Sequence, residues 1–186
     1  MDCIVLVGFS GAGKSTIAKK LAAGLGFNFW DTDECFEQEY KISISDFFEK
    51  YGESAFRICE RRILNRLLTL KKCVIATGGG TPCFYDNNEK ILRSAYVIYI
   101  KLSAASLAKR LKNSRKPRPL TSSLTDEQLE EYVNRMLLQR EKYYSMAHLT
   151  VKGENFKVKE LLQLLDEKGI VRNVVAPPGI EPEFKV

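Results

Sequence analysis

Histidine is nearly absent: His148 is the only one in 186 residues. A Ser–His or Cys–His nucleophile system therefore has one residue to draw on, and metal chemistry must use oxygen ligands. Cysteine occurs without a useful pattern. Cys3, Cys35, Cys59, Cys73 and Cys83 form no C-x-x-C pair, and their odd number argues for buried thiols over a disulfide framework. No apolar run approaches the ~20 residues of a membrane helix, so no membrane partner is expected. The chain does not open on a basic segment followed by an apolar region, which predicts a cytoplasmic protein. Internal repeats are also missing.

What is present is an ordinary globular mixture, 45% hydrophobic and 28% charged. A chain of 186 residues is long enough for one domain with a real core. Lysine and arginine exceed aspartate and glutamate by 29 − 23 = 6, with a pI near 9.0, which suits an anionic ligand. No nucleic-acid-binding motif and no run of interleaved basic and aromatic residues accompanies that charge, so nucleic acid is not an expected partner.

Residues 3–7 are apolar and β-branched, the composition of a strand buried on both faces. Similar runs fall at 27–30, 73–77, 95–102 and 148–151. Helical periodicity falls at 14–25, 45–51, 54–70, 87–93, 104–111, 125–144 and 157–168. Strands alternating with helices predict a parallel sheet covered on both sides. Residues 113–123 are polar, basic and proline-containing and read as a mobile loop. Residues 173–186 carry Pro177, Pro178 and Pro182 without periodicity and read as a disordered or weakly docked tail.

Gly8-Phe9-Ser10-Gly11-Ala12-Gly13-Lys14-Ser15 matches G-x-x-x-x-G-K-[ST] between a buried strand and a helix. Glycines let the backbone curl so that successive N–H groups point at phosphate oxygens. The helix start adds the positive end of its dipole. Lys14 supplies an ammonium for the β- and γ-phosphates, and Ser15 a hydroxyl for Mg²⁺.

Several further residues suggest an acceptor. Asp31 and Asp33 follow the second strand, where ligands bind in parallel sheets. One carboxylate can hold magnesium through water and the other can steer a substrate hydroxyl as general base. A solvated turn would also place aspartates there. Arg57 and Glu60 stand three residues apart on one helix, which fits either a carboxylate grip or a plain surface pair. Arg140 continues the inward stripe of Leu129, Val133, Met136 and Leu137, and such an arginine needs an anion unless its head snorkels into water. Gly78-Gly79-Gly80 closes the third strand and allows close backbone approach. Arg115, Lys116 and Arg118 give the 113–123 loop cations that could fold over ATP, although composition alone favours a solvated basic loop.

Taken together, these residues resemble the shikimate kinase family. The resemblance runs through G-F-S-G-A-G-K-S-T at 8–16, D-T-D at 31–33, and F-R-x-x-E at 56–60 preceded by Gly52-Glu53. It continues through A-T-G-G-G at 76–80, R-P-L at 118–120 and the Arg140…Tyr143 element. It implies a three-layer α/β/α fold with a five-stranded parallel sheet, a P-loop NTPase of the nucleoside monophosphate kinase type. Residues 1–172 would form the kinase domain, with a lid at about 113–123. The implied reaction moves the γ-phosphoryl group of ATP to the 3-hydroxyl of shikimate with Mg²⁺, within chorismate and aromatic amino acid biosynthesis, in a cytoplasmic monomer.

By the same resemblance, Gly11, Ala12, Gly13, Lys14, Ser15 and Thr16 hold ATP phosphates, and Ser15 and Asp31 serve the metal. Asp33 holds the shikimate hydroxyls and is the base. Arg57 and Arg140 grip the carboxylate, with Glu60 orienting Arg57. Gly79 and Gly80 offer backbone contacts. Arg118 reaches the phosphates, and Arg110 lies against adenine. Gluconate or nucleotide kinases are the nearest alternatives. A nucleotide acceptor would need base recognition, which paired arginines do not provide.

Overall fold

The computed structural model describes residues 2–114, 124–154 and 156–171. These residues form one parallel sheet of five strands: β1 (Cys3–Val7), β2 (Asn28–Asp31), β3 (Cys73–Ala76), β4 (Tyr96–Lys101) and β5 (Leu149–Lys152). The spatial order is β2-β3-β1-β4-β5. β1 pairs with β3 on one side (Val5 beside Ile75) and with β4 on the other (Val5 beside Val97). The strand feeding the glycine-rich loop is therefore central, and ligands of such sheets bind beyond the carboxyl ends of strands.

Alternation along β1 divides the core. Ile4 and Leu6 face a layer built from α1 (Lys14–Leu25), α5 (Ala104–Lys112), α6 (Asp126–Tyr144) and α7 (Val158–Glu167). Cys3, Val5 and Val7 face a layer built from α2 (Thr32–Tyr40), α3 (Ile44–Leu67) and α4 (Asn87–Ser94). All five β1 residues are buried, as the uniformly apolar run predicted.

Helix ends follow their local chemistry. α1 begins after Gly13 (φ 89°) and ends at Gly26 (φ 64°), whose N–H bonds the carbonyls of Ala22 and Ala23. Thr125 and Gln128 form a reciprocal capping box that starts α6. The two expected helices at 45–51 and 54–70 are one element, α3, broken at Gly52 (φ 77°, ψ 169°). That backbone conformation is open essentially to glycine alone.

One helix goes beyond the sequence reading, which assigned no element to 34–44. Only three of the nine residues of α2, Thr32, Cys35 and Phe36, are buried, so its apolar stripe is thin. Its signal is the cap: Asp31 accepts from the N–H groups of Asp33 and Glu34. The expected lid, Arg115, Lys116, Arg118 and the 173–186 tail lie outside the described residues. No described helix is long and apolar enough to cross a membrane.

Candidate active site

The glycine-rich loop leaves β1 and curls into α1 with positive φ at Gly8, Gly11 and Gly13. Lys14 is buried, and its Nζ donates to the carbonyls of Gly8 (2.9 Å) and Phe9 (2.8 Å). Its ammonium is thus held at the mouth of the loop. Ser15 donates to Asp31 Oδ2 at 2.5 Å, while Asp31 Oδ1 receives the N–H of Asp33 at 2.9 Å. Asp31 therefore spans two elements, joining the phosphate loop to the N-terminus of α2.

A cleft of about 380 Å³ opens over these residues. Its walls include Ser10, Gly11, Gly13, Lys14, Ser15 and Thr16 from the loop and the start of α1, Asp31 from the end of β2, Asp33 from the first turn of α2, and Gly78 and Gly79 just after β3. Arg110 closes one side, donating to the carbonyl of Ala12 at 3.2 Å. A larger shallow groove of about 500 Å³ lies between β5 and α7, and no phosphate-loop residue lines it.

The three glycines after β3 sit where backbone must come close. A Cβ on Gly78 would fall 2.7 Å from Asp33 Oδ1, and one on Gly79 would fall 2.7 Å from the Ser10 nitrogen. A Cβ on Gly80 would fall 2.7 Å from Arg57 Nη2. The run thus threads between the phosphate loop, Asp33 and Arg57. The Gly78 N–H is held by Thr32 Oγ1 at 2.8 Å.

Arg57 is buried, unlike a surface arginine at the same spacing. Nη1 donates to Glu60 Oε2 at 2.8 Å, and Nε and Nη2 donate to Glu53 Oε1 at 3.2 and 2.9 Å. Its guanidinium lies 4.0 Å from the Phe84 ring centroid. Glu60, also buried, accepts from Thr81 Oγ1 at 2.6 Å through its other oxygen. The expected Arg57–Glu60 pair is therefore the centre of a larger network.

Arg140 arrives from α6, half-buried, with its guanidinium 5.5 Å from the Phe9 ring of the phosphate loop. Cys83 is under the charge of both arginines. Burial pushes its thiol up to about 11, while the Arg140 and Arg57 charges pull the other way. Arg57 lies against Gly80, while Arg140 reaches the phosphate loop at Phe9.

Of the expected residues, Gly11, Gly13, Lys14, Ser15, Thr16, Asp31, Asp33, Gly79 and Arg110 line the cleft; beside it Ala12 accepts from Arg110, Gly80 lies against Arg57, and Arg140 reaches the Phe9 ring. Sequence reading missed Glu53, Thr32, Thr81, Phe84 and Tyr144 as members of the site's frame. Glu53 stands four residues before Arg57, a spacing that could have flagged it. The others meet the site only through the fold. Among the described residues there is no group of three or more His, Cys, Asp or Glu side chains that could hold a metal by itself.

A nucleotide-phosphate loop on a 2-3-1-4-5 parallel sheet, opposed by carboxylate and paired arginines, defines a P-loop kinase of the nucleoside monophosphate kinase fold. The shikimate kinase family model matches residues 10–168. A shikimate kinase of Parabacteroides distasonis is 38% identical over 154 residues, covering 83% of this chain and 89% of that protein. The solved shikimate kinase of Bacteroides thetaiotaomicron superposes with a TM-score of 0.84 at 30% identity, covering 89% of this chain and 98% of its own. That of Acinetobacter baumannii, solved in complex with shikimate, superposes with a TM-score of 0.81 at 32% identity, covering 91% and 93%. The chain belongs to the shikimate kinase family.

Proposed function

We propose that this protein transfers the γ-phosphoryl group of ATP to the 3-hydroxyl of shikimate, giving shikimate 3-phosphate and ADP for aromatic amino acid biosynthesis. One observation supports this most: the phosphate loop, Asp33 and Arg57 converge on the same three glycines, and Arg140 reaches Phe9 of that loop. The crevice suits a triphosphate end-on to a small hydroxylated acid.

Phosphoryl transfer asks for positioning and charge neutralisation more than covalent chemistry. Backbone N–H groups from Gly11 to Thr16 and the Lys14 ammonium hold the phosphates. Arg57 and Arg140 hold the acid's carboxylate. Arg57 is pre-aimed by Glu53 and Glu60, so little rotamer freedom is lost on binding. Asp33 accepts the proton of the attacking hydroxyl. Arg110 lies against the base of the nucleotide. On the family pattern, Arg118 adds a cation to the transferring group.

Magnesium fits the donors present. The Ser15 hydroxyl and Asp31 carboxylate form an adjacent all-oxygen pair, 2.5 Å apart, beside the phosphate loop. A small hard cation that keeps waters and phosphate oxygens for its remaining positions suits that pair. When bound, Mg²⁺ would neutralise charge on the phosphate oxygens. The site is assembled by one chain, which fits a monomer, and its ATP requirement fits a cytoplasmic enzyme.

The test is ADP release by purified protein with Mg·ATP and a panel of shikimate, gluconate, nucleoside monophosphates and RNA. Turnover with shikimate alone is expected. Preference for gluconate or a nucleotide would overturn the acceptor assignment.

A further inference from the structure

Helix α6 brings Arg140 to the acceptor pocket, and its last turn is tied down on both sides. One helical turn beyond Arg140, Tyr144 is fully buried, and its hydroxyl donates to the Gly79 carbonyl at 2.5 Å. Arg140 stands four residues earlier on the same helix, and its charge acts on that hydroxyl. Gly79 in turn rests on the phosphate loop, where a Cβ would come within 2.7 Å of the Ser10 nitrogen. Beside Arg140 in sequence, Glu141 receives the Tyr99 hydroxyl at 2.7 Å and the Lys101 ammonium at 2.5 Å, both from β4. The Tyr99 and Tyr144 rings pack at 5.2 Å.

A phenol whose hydroxyl is bonded to a loop carbonyl and whose ring is packed against another behaves as a strut. It has two side-chain torsions, and burial fixes both. Burial also raises its ionisation well above the ordinary tyrosine value, so the strut stays neutral in the working pH range. The contact series Arg140–Tyr144–Gly79–Ser10 thereby joins the acceptor arm to the phosphate loop.

We propose that Tyr144 is a positioning residue whose hydroxyl anchors the last turn of α6 to the Gly79 peptide, and thereby fixes Arg140, one turn earlier, in its grip on the acceptor's carboxylate. The proposal rests on the acceptor reading given above. Tyr144 touches no reacting atom. It acts through Arg140 and Gly79.

The test is steady-state kinetics of Tyr144→Phe, which removes one oxygen and keeps the ring. Loss of that buried hydrogen bond should raise the shikimate KM about tenfold, with the ATP KM within about twofold. The preference for shikimate over its neutral analogue, with hydroxymethyl in place of carboxylate, should shrink by a similar factor. In a double-mutant cycle, Arg140→Ala should cost less in the Tyr144→Phe background than in the parent. Equal rises in both KM values, unchanged acid preference, or additive costs would each overturn the strut. If Tyr144→Phe does not fold, Glu141→Gln loosens the same helix end from β4 and is expected to give the same KM split. A folded Glu141→Gln without that split overturns the proposal. A parent protein inactive on shikimate refutes the acceptor reading itself. A normal parent with an indifferent Tyr144→Phe refutes only the strut.

Discussion

Removing one charge at Asp33 isolates its part in the reaction. Asp33→Asn keeps size and the backbone N–H that Asp31 receives, so α2 keeps its cap. Turnover should fall by about 10²-fold or more, while calorimetric ATP affinity changes little. Unchanged kcat would remove Asp33 from the chemistry. Arg57 differs because it is both a proposed carboxylate ligand and the centre of a buried network. Arg57→Ala should weaken shikimate roughly 10–100-fold in KM. It also leaves Glu60 buried without its cation, costing about 3 kcal/mol in a urea titration. A variant that loses affinity with full stability would show that Glu60 is satisfied by Thr81 alone. These residues were visible in the sequence as types at suggestive spacings. Their burial was not, because whether an i,i+3 pair faces water or core depends on what packs over it. For Arg57 the cover comes from Phe84 and Gly80, more than twenty residues away.

At the scale of elements, the glycines fix how the site's walls approach one another. Gly52 breaks α3, and a Cβ there meets nothing within 4 Å, so strain is the whole effect of a substitution. Gly52→Ala should cost about 1–3 kcal/mol, read as a lower melting temperature. No change would mean that the two halves of α3 can realign without that break. Strands and long helices were legible because uniformly apolar runs and 3.6-residue stripes report burial directly. α2 was not, because its stripe is thin and its start depends on an aspartate that also reads as a metal or substrate ligand. The side chain that caps α2 is the one the motif reserves for a ligand, and the motif hid the cap. The break at Gly52 was legible as two helices, although the backbone runs through it.

The whole molecule is a sheet whose central strand delivers the phosphate loop and whose neighbours deliver the acceptor pocket from opposite sides. β3 supplies the glycines, and α6, packed against α5 beyond β4, supplies Arg140. Burial of acidic side chains in this frame shapes alkaline stability. The Cys83 pKa is raised from 9.0 to about 11 in the folded chain. Below pH 9 both folded and unfolded thiols hold their protons and stability is complete. Above it the unfolded thiol ionises first, so stability falls as pH rises toward 11. Melting temperatures of the parent should decline across that window, and Cys83→Ser should flatten the decline. An identical decline in both would assign it to other groups. The order of strands was beyond periodicity alone, which gives strands but not neighbours. The resemblance supplied the sheet, and the pairing of β1 with β3 and β4 bears it out.

The most direct measurement is a crystal structure of the protein with shikimate and a non-hydrolysable ATP analogue. The carboxylate is expected on Arg57 and Arg140, the 3-hydroxyl on Asp33, and the terminal phosphate beside Lys14, in line with that hydroxyl. Shikimate bound away from either arginine, or with another hydroxyl facing the phosphate, would contradict it.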